Sequence, residues 1–148
     1  MAILTEIEKA YMAGIIDGEG CISLSPAYKS KRGQVHRLLL TVNNTSLSLI
    51  SWVAEKWQAN LHLFKSNTLN SLLPLRKHKI YSCQINGKKA VLILKEILPY
   101  LICKKRQAEV AIEFGKTIGK TGQRVSDNIR EKRMKLDKEI KIFNNNPI

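Results

Sequence analysis

The stretch Cys21–Asn44, CISLSPAYKSKRGQVHRLLLTVNN, alternates in both halves. Ile22 and Leu24 fall on one side of the first half, with Cys21, Ser23 and Ser25 on the other. In the second half Leu38, Leu40 and Val42 alternate with Arg37, Leu39, Thr41 and Asn43. A period of two belongs to strands that bury one face and leave the other wet. The middle, PAYKSKRGQ, is polar and cationic and holds a Pro and a Gly, which predicts a long tip loop between two antiparallel strands. The apolar face of such a sheet needs helices to cover it.

The flanking segments supply them. Thr5 and Glu8 have the T-x-x-E spacing of a capping box. Ile7, Ala10, Tyr11, Gly14 and Ile15 then recur at helical spacing, and Gly18 and Gly20 are expected to end that helix. Thr45 or Ser46 caps a second helix in which Ile50, Val53 and Trp57 fall at i, i+3 and i+7. LHLFKSNTLNSLLPLRKHKIYSCQI reads as a second hairpin with Asn67, Asn70, Pro74, Arg76 and Lys77 at its tip. Asn86-Gly87 punctuates. KKAVLILKEIL makes a third helix, stopped by Pro99, and KKRQAEVAIEFG a fourth, ended by Gly115. The order α-ββ-α-ββ-α-α predicts an α+β fold: an antiparallel sheet with helices on one face. After Gly115 the composition shifts. KTIGKTGQR is a connector and SDNIREKRMKLDKEIKIF a polar, basic helix capped by Ser126. The expected organisation is therefore a core domain over residues 1–115 and a basic C-terminal extension over 116–148. That last helix packs on the sheet edge, reaches further DNA or stays solvated.

With 148 residues the chain suits one compact domain. No apolar run approaches the roughly 18 residues of a membrane span, and MAILTEIEKA lacks the basic start of a signal peptide. Cys21, Cys83 and Cys103 are odd in number and form no CxxC pair, which suits reduced thiols in a non-secreted, intracellular protein. His36, His62 and His78 have no zinc-ligand spacing. The net charge of +13 points to a polyanionic partner. Its distribution is more informative: from Gly20 to Lys95 a single acid, Glu55, stands against twelve Lys and Arg. A surface tuned for solubility intersperses both signs, although a basic, solvated face remains the plain alternative. A cationic, polar two-stranded ribbon fits the major groove of DNA. The outward strand positions that would touch it are Ser23, Ser25, Tyr28, Lys29, Lys31, Arg32, Arg37, Thr41, Asn43, Lys65, Lys79 and Tyr81. Several of the lysines would touch only phosphate.

The acids of the first helix are oddly placed. In MAGIIDGEG, Met12 to Gly20, Asp17 and Glu19 stand where the helix ends, and a helix C-terminus disfavours negative charge by roughly 0.3–1 kcal/mol per group. Asp and Gly after a helix are also ordinary turn residues. Ala10, Ala13 and Gly14 are small enough to let two helices pack with their backbones close. Lys104 repeats the puzzle with the other sign, since KKR opens the fourth helix.

MAGIIDGEG resembles the LAGLIDADG motif of homing endonucleases. LPYLICKKRQAEV, Leu98 to Val110, is similar to that family's Pro-x-Leu-x-x-Lys-x-x-Gln-Ala segment. The αββαββα order and a length near 150 with one motif match its homodimeric members, and the resemblance covers residues 5 to 115. It implies the LAGLIDADG fold with a concave DNA-binding sheet face. Motif helices of two subunits would pack at a dimer axis through Ala10, Ala13, Gly14 and Asp17. Glu19, with the backbone carbonyl of Gly18, would hold Mg²⁺, for which Mn²⁺ can substitute. The family more often has Asp there. Lys104 would be the active-site lysine beside the scissile phosphate. Ser46 occupies the place where some members carry a Gln near the attacking water, and Ile50 replaces an arginine some members carry. The implied activity is Mg²⁺-dependent cleavage of both strands of a long, pseudo-palindromic DNA site, leaving 3′ overhangs. The alternatives are a maturase that binds intron RNA and a DNA-binding regulator on the same fold. No membrane partner is expected.

Overall fold

The computed structural model describes residues 4–30, 33–64, 79–119 and 125–145, with side chains for 4–25, 35–63, 79–119 and 125–145. Helix α1 (Glu6–Glu19) opens with both halves of the capping box. The Thr5 hydroxyl accepts from the Glu8 N–H at 3.3 Å, and the Glu8 carboxylate accepts from the Thr5 N–H at 2.9 Å. The helix runs through Gly18, contrary to the expectation that this glycine ends it, and Glu19 is its last residue.

Strands β1 (Gly20–Ser30) and β2 (Gly33–Asn44) pair antiparallel, with a register shift between Pro26 and Tyr28. They extend well into the segment expected to be a tip loop. Helix α2 (Leu47–Trp57) follows, capped by Ser46 rather than Thr45. Strands β3 (Leu61–Phe64) and β4 (Ile80–Asn86) complete a sheet of order β1-β2-β4-β3, antiparallel throughout. Helices α3 (Gly87–Ile97) and α4 (Lys105–Gly115) are joined by a short 3₁₀ turn, Leu98–Tyr100.

Ile22, Leu24, Leu38, Leu40, Val42, Cys83 and Ile85 point from the sheet to the helices and are buried with Met12, Ile16, Ile50, Trp57, Ile93, Leu94 and Phe114 in one core. Burial also pushes the Cys83 thiol up to about 11, so it stays protonated and inert.

Helix α5 (Asp127–Asn145) is docked onto this core. Leu136 and Ile140 join the hydrophobic cluster. The buried Arg133 donates to the Thr117 hydroxyl at 2.9 Å and to the Thr117 carbonyl at 2.7 Å, and its guanidinium lies 5.1 Å from the centre of the Phe114 ring. Asn144 donates to the Ile22 carbonyl of β1, and Gln107 of α4 donates to the Phe143 carbonyl. Residues 127–145 are therefore not a solvated tail. Among the described residues, no helix is long and apolar enough to cross a membrane.

Candidate functional site

The last turn of α1 is held by the loop ahead of α4. The Asp17 carboxylate accepts from the N–H groups of Ile102 and Lys104, both at 2.8 Å. In return the Lys104 ammonium reaches back to the Ile16 carbonyl at 2.9 Å and the Asp17 carbonyl at 2.6 Å. Both sequence puzzles resolve here. Asp17 satisfies backbone donors of a loop that has none to pair with locally. Lys104 serves as a cationic cap for the C-terminal end of α1, where the helix dipole favours positive charge, and not for the N-terminal end of α4 that follows it. Asp17 thus has a structural role within its own chain, at the end of the motif helix.

Glu19 is exposed, and among the described residues its carboxylate has no hydrogen-bond or ion-pair partner in the chain. Its position is fixed by Gly20, whose backbone folds tightly against the helix. A Cβ there would meet the Ile16 Cα at 2.7 Å and the Ile16 carbonyl oxygen at 2.8 Å. Gly20 thereby lets the chain turn directly from the acid into β1.

The two faces of α1 differ sharply. Met12, Ala13, Ile15 and Ile16 face the core. Ala13 is fully buried there, so it lies off the outer surface expected to meet a second helix. The outer face carries Ile7 (83% exposed), Ala10, Tyr11 (55%), Gly14 and Gly18. Cβ atoms added at Gly14 or Gly18 would find nothing within 4 Å. The chain's own packing thus gives no reason for either glycine. Ile102, whose N–H binds Asp17, extends this apolar surface at 87% exposure.

The sheet face turned away from the helices is polar. Its register makes cross-strand rows: Ser23, Leu39 and Asn86; then Cys21, Thr41 and Gln84; then Asn43, Ser82 and His62. Ser25 and Arg37 form a further row away from α1. Ser23, Ser25, Arg37, Thr41 and Asn43 fall where the alternation put them. Tyr81 does not. It pairs with Asn44 and Leu63 on the helix side and packs against the core, because β4 takes its register from Val42–Cys83. Ser82, Gln84 and His62 stand on that face instead and were missed, Ser82 buried there and the other two exposed; the alternation of Cys83 and Ile85 was the signal for the first two. Lys79 is exposed, one residue before β4 begins. Lys31, Arg32 and Lys65, and the side chains of Tyr28 and Lys29, lie outside the described residues. Ser46 acts as the N-cap of α2: its oxygen accepts from the Leu49 N–H at 3.3 Å and lies 3.1 Å from the Ser48 hydroxyl.

No protein-family model and no curated protein sequence matches the chain. Solved structures do. The archaeal intron-encoded homing endonuclease I-Vdi141I, complexed with DNA, superposes with a TM-score of 0.72 at 17% identity, over 93% of this chain and 84% of that one. The homing endonuclease I-CvuI, in complex with its target, gives 0.61 at 18% identity over 88% and 94%. The LAGLIDADG homing endonuclease I-SmaMI, bound to cleaved DNA, gives 0.65 at 20% identity over 91% of this chain and 43% of that one. The chain has the LAGLIDADG homing-endonuclease fold.

Proposed function

We propose that this chain is a site-specific homing endonuclease. It would work as a homodimer that cuts both strands of a long, pseudo-palindromic DNA site with Mg²⁺, leaving 3′ overhangs. The carrying observation is the position of Glu19. It is an unpartnered carboxylate at the end of a helix whose outer face bears two unfilled glycines, next to a polar sheet face. Pairing two copies along Ala10, Gly14 and Gly18 would bury Ile7, Tyr11 and Ile102 of both and bring the two Glu19 carboxylates together.

The donor set fits a hard divalent cation. A carboxylate and neighbouring backbone carbonyls, that of Gly18 first among them, are oxygen ligands of the kind Mg²⁺ and Mn²⁺ take. Mg²⁺ would fill the rest of its shell with waters and phosphate oxygens, and a second copy would add its own Glu19. When bound, the cation lowers the pKa of an attacking water and stabilises the leaving oxygen. The chain's own groups do the rest. Asp17 and Lys104 fix the helix end that carries Glu19. The Lys104 ammonium has three donors, two of them on carbonyls, which leaves one for a phosphate oxygen. The polar face holds the duplex.

The test is a cleavage selection. The protein is incubated with randomised near-palindromic duplexes and Mg²⁺, beside Glu19→Gln and an EDTA control, and the cut ends are sequenced. Cuts made only by the unaltered chain with Mg²⁺ are the expected result. Bound but uncut duplex, or retained RNA, would replace this reading with the regulator or the maturase.

A further inference from the structure

We infer that the part of the sheet face nearest α1 reads A·T pairs, with Gln84 and Asn43 as the adenine-recognising side chains. This rests on the reading that the face holds duplex DNA, and adds which bases it selects.

The register carries the inference. The three rows nearest α1 place nine side chains on the face, and none is Lys, Arg, Asp or Glu. Guanine is read in the major groove by Arg or Lys, which donate to its O6 and N7; Asn and Gln read adenine by donating to N7 while accepting from N6. Arg37, one row further out, is able to read guanine. The inner rows hold three amides, three hydroxyls, the Cys21 thiol, the His62 imidazole at the far edge, and Leu39, whose apolar surface suits a thymine methyl.

The amides of these rows are free to read. Asn43 and Gln84 are exposed, and among the described residues neither side chain has a hydrogen-bond partner in the chain. Of the neighbouring asparagines, Asn44 has local work, its carboxamide accepting from the Ser46 N–H at 2.8 Å, whereas Asn86, at the N-cap position of α3 ahead of Gly87 at φ +56°, makes no side-chain cap hydrogen bond and is a further exposed amide beside Gln84. Asn is depleted in strands because it competes with the ladder for hydrogen bonds. Asn43 runs against that preference with no structural bond in return. Asn43 stands opposite Ser82 and Gln84 opposite Thr41, so the two amides are diagonal neighbours. Diagonal neighbours on one face lie about 7–8 Å apart. With about 3.4 Å per base step, that spacing matches adenines two steps apart.

The test recovers randomised duplexes bound to the full-length protein with Ca²⁺ replacing Mg²⁺, so that recovery reports binding, and sequences them. Each half-site is expected to show two A·T-restricted positions about two steps apart on its inner side. Gln84→Arg should move one of them from A to G. Asn43→Ala should relax the other, weakening binding to the original site by about tenfold to a hundredfold. Asn44→Ala, which touches only the α2 cap, should leave both preferences in place. Sequence-specific recovery with G·C or no preference at these positions, or an unchanged preference in Gln84→Arg, would overturn the inference alone. Recovery of no duplex at all would overturn the DNA reading and this inference with it.

Discussion

Asp17 and Lys104 hold each other in both directions: the Asp17 carboxylate accepts from the Lys104 N–H at 2.8 Å, and the Lys104 ammonium donates to the Asp17 carbonyl at 2.6 Å. Asp17→Ala strips a charged acceptor from two backbone donors and should lower stability by about 2–4 kcal/mol. Because the two residues act as a unit, adding Lys104→Ala should cost less than it does alone, with a coupling of about 0.5–3 kcal/mol. Urea unfolding of both single variants and the double variant measures it, and strict additivity would show that the brace is not one element.

Glu19→Gln should abolish cleavage while leaving the fold intact. Losing a cation ligand removes several kcal/mol of transition-state stabilisation. Removing a negative charge from a helix C-terminus gains roughly 0.3–1 kcal/mol. A variant that is inactive and slightly more stable is the expected signature; retained cleavage would sink the metal assignment.

Gly14 and Gly20 should respond oppositely. Nothing in the chain fills the space beside Gly14. Gly14→Leu should keep the monomer's circular dichroism, raise helix propensity by up to about 1 kcal/mol, and block dimerisation as read by sedimentation. A normal dimer mass would refute pairing along α1. Gly20→Ala meets the Ile16 backbone itself, and should destabilise the chain by about 1–3 kcal/mol, read by thermal unfolding.

Acid should loosen the helical layer. The Lys56 ammonium, aided by the Thr5 N–H, holds the Glu8 carboxyl at about 2, and Lys116 with Lys132 holds that of Glu113 at about 2. Both folded values lie below the ordinary 4.5. The stability they contribute is therefore complete above pH 4.5 and is lost as pH falls through about 2. Glu8 ties α1 to α2, and Glu113 ties α4 to α5. The urea midpoint should fall across this window, less so in a Glu8→Gln, Glu113→Gln double variant. A midpoint indifferent to pH in the unaltered chain would contradict these ties.

What could be read from sequence divides along physical lines. The Thr5–Glu8 capping box and the alternation of Ile22, Leu24, Leu38, Leu40 and Val42 are local signals with local causes, and the structure has them as written. The small residues of α1 were legible as a pair of faces only in part, since Ala13 and Gly14 are adjacent and spacing alone does not say which one turns inward. Tyr81 was misplaced because its face depends on the pairing of β4 with β2, a contact between distant segments. Lys104 misled for the same reason. Read beside its own helix it is at the wrong pole; folded, it stands at the right pole of another. The docking of α5 stayed one of three open readings because its buried stripe, Arg133, Leu136, Asp137 and Ile140, is half charged and leaves only a weak apolar period.

Each chain carries one free acid at the end of a helix whose outer face its own packing leaves unfilled. Under the proposed function, a lone copy then holds half a cutting centre, and its output rises with the square of its abundance when dilute. Such a nuclease would stay silent at low expression, so the same few residues that place the acid would also set the dose at which it cuts.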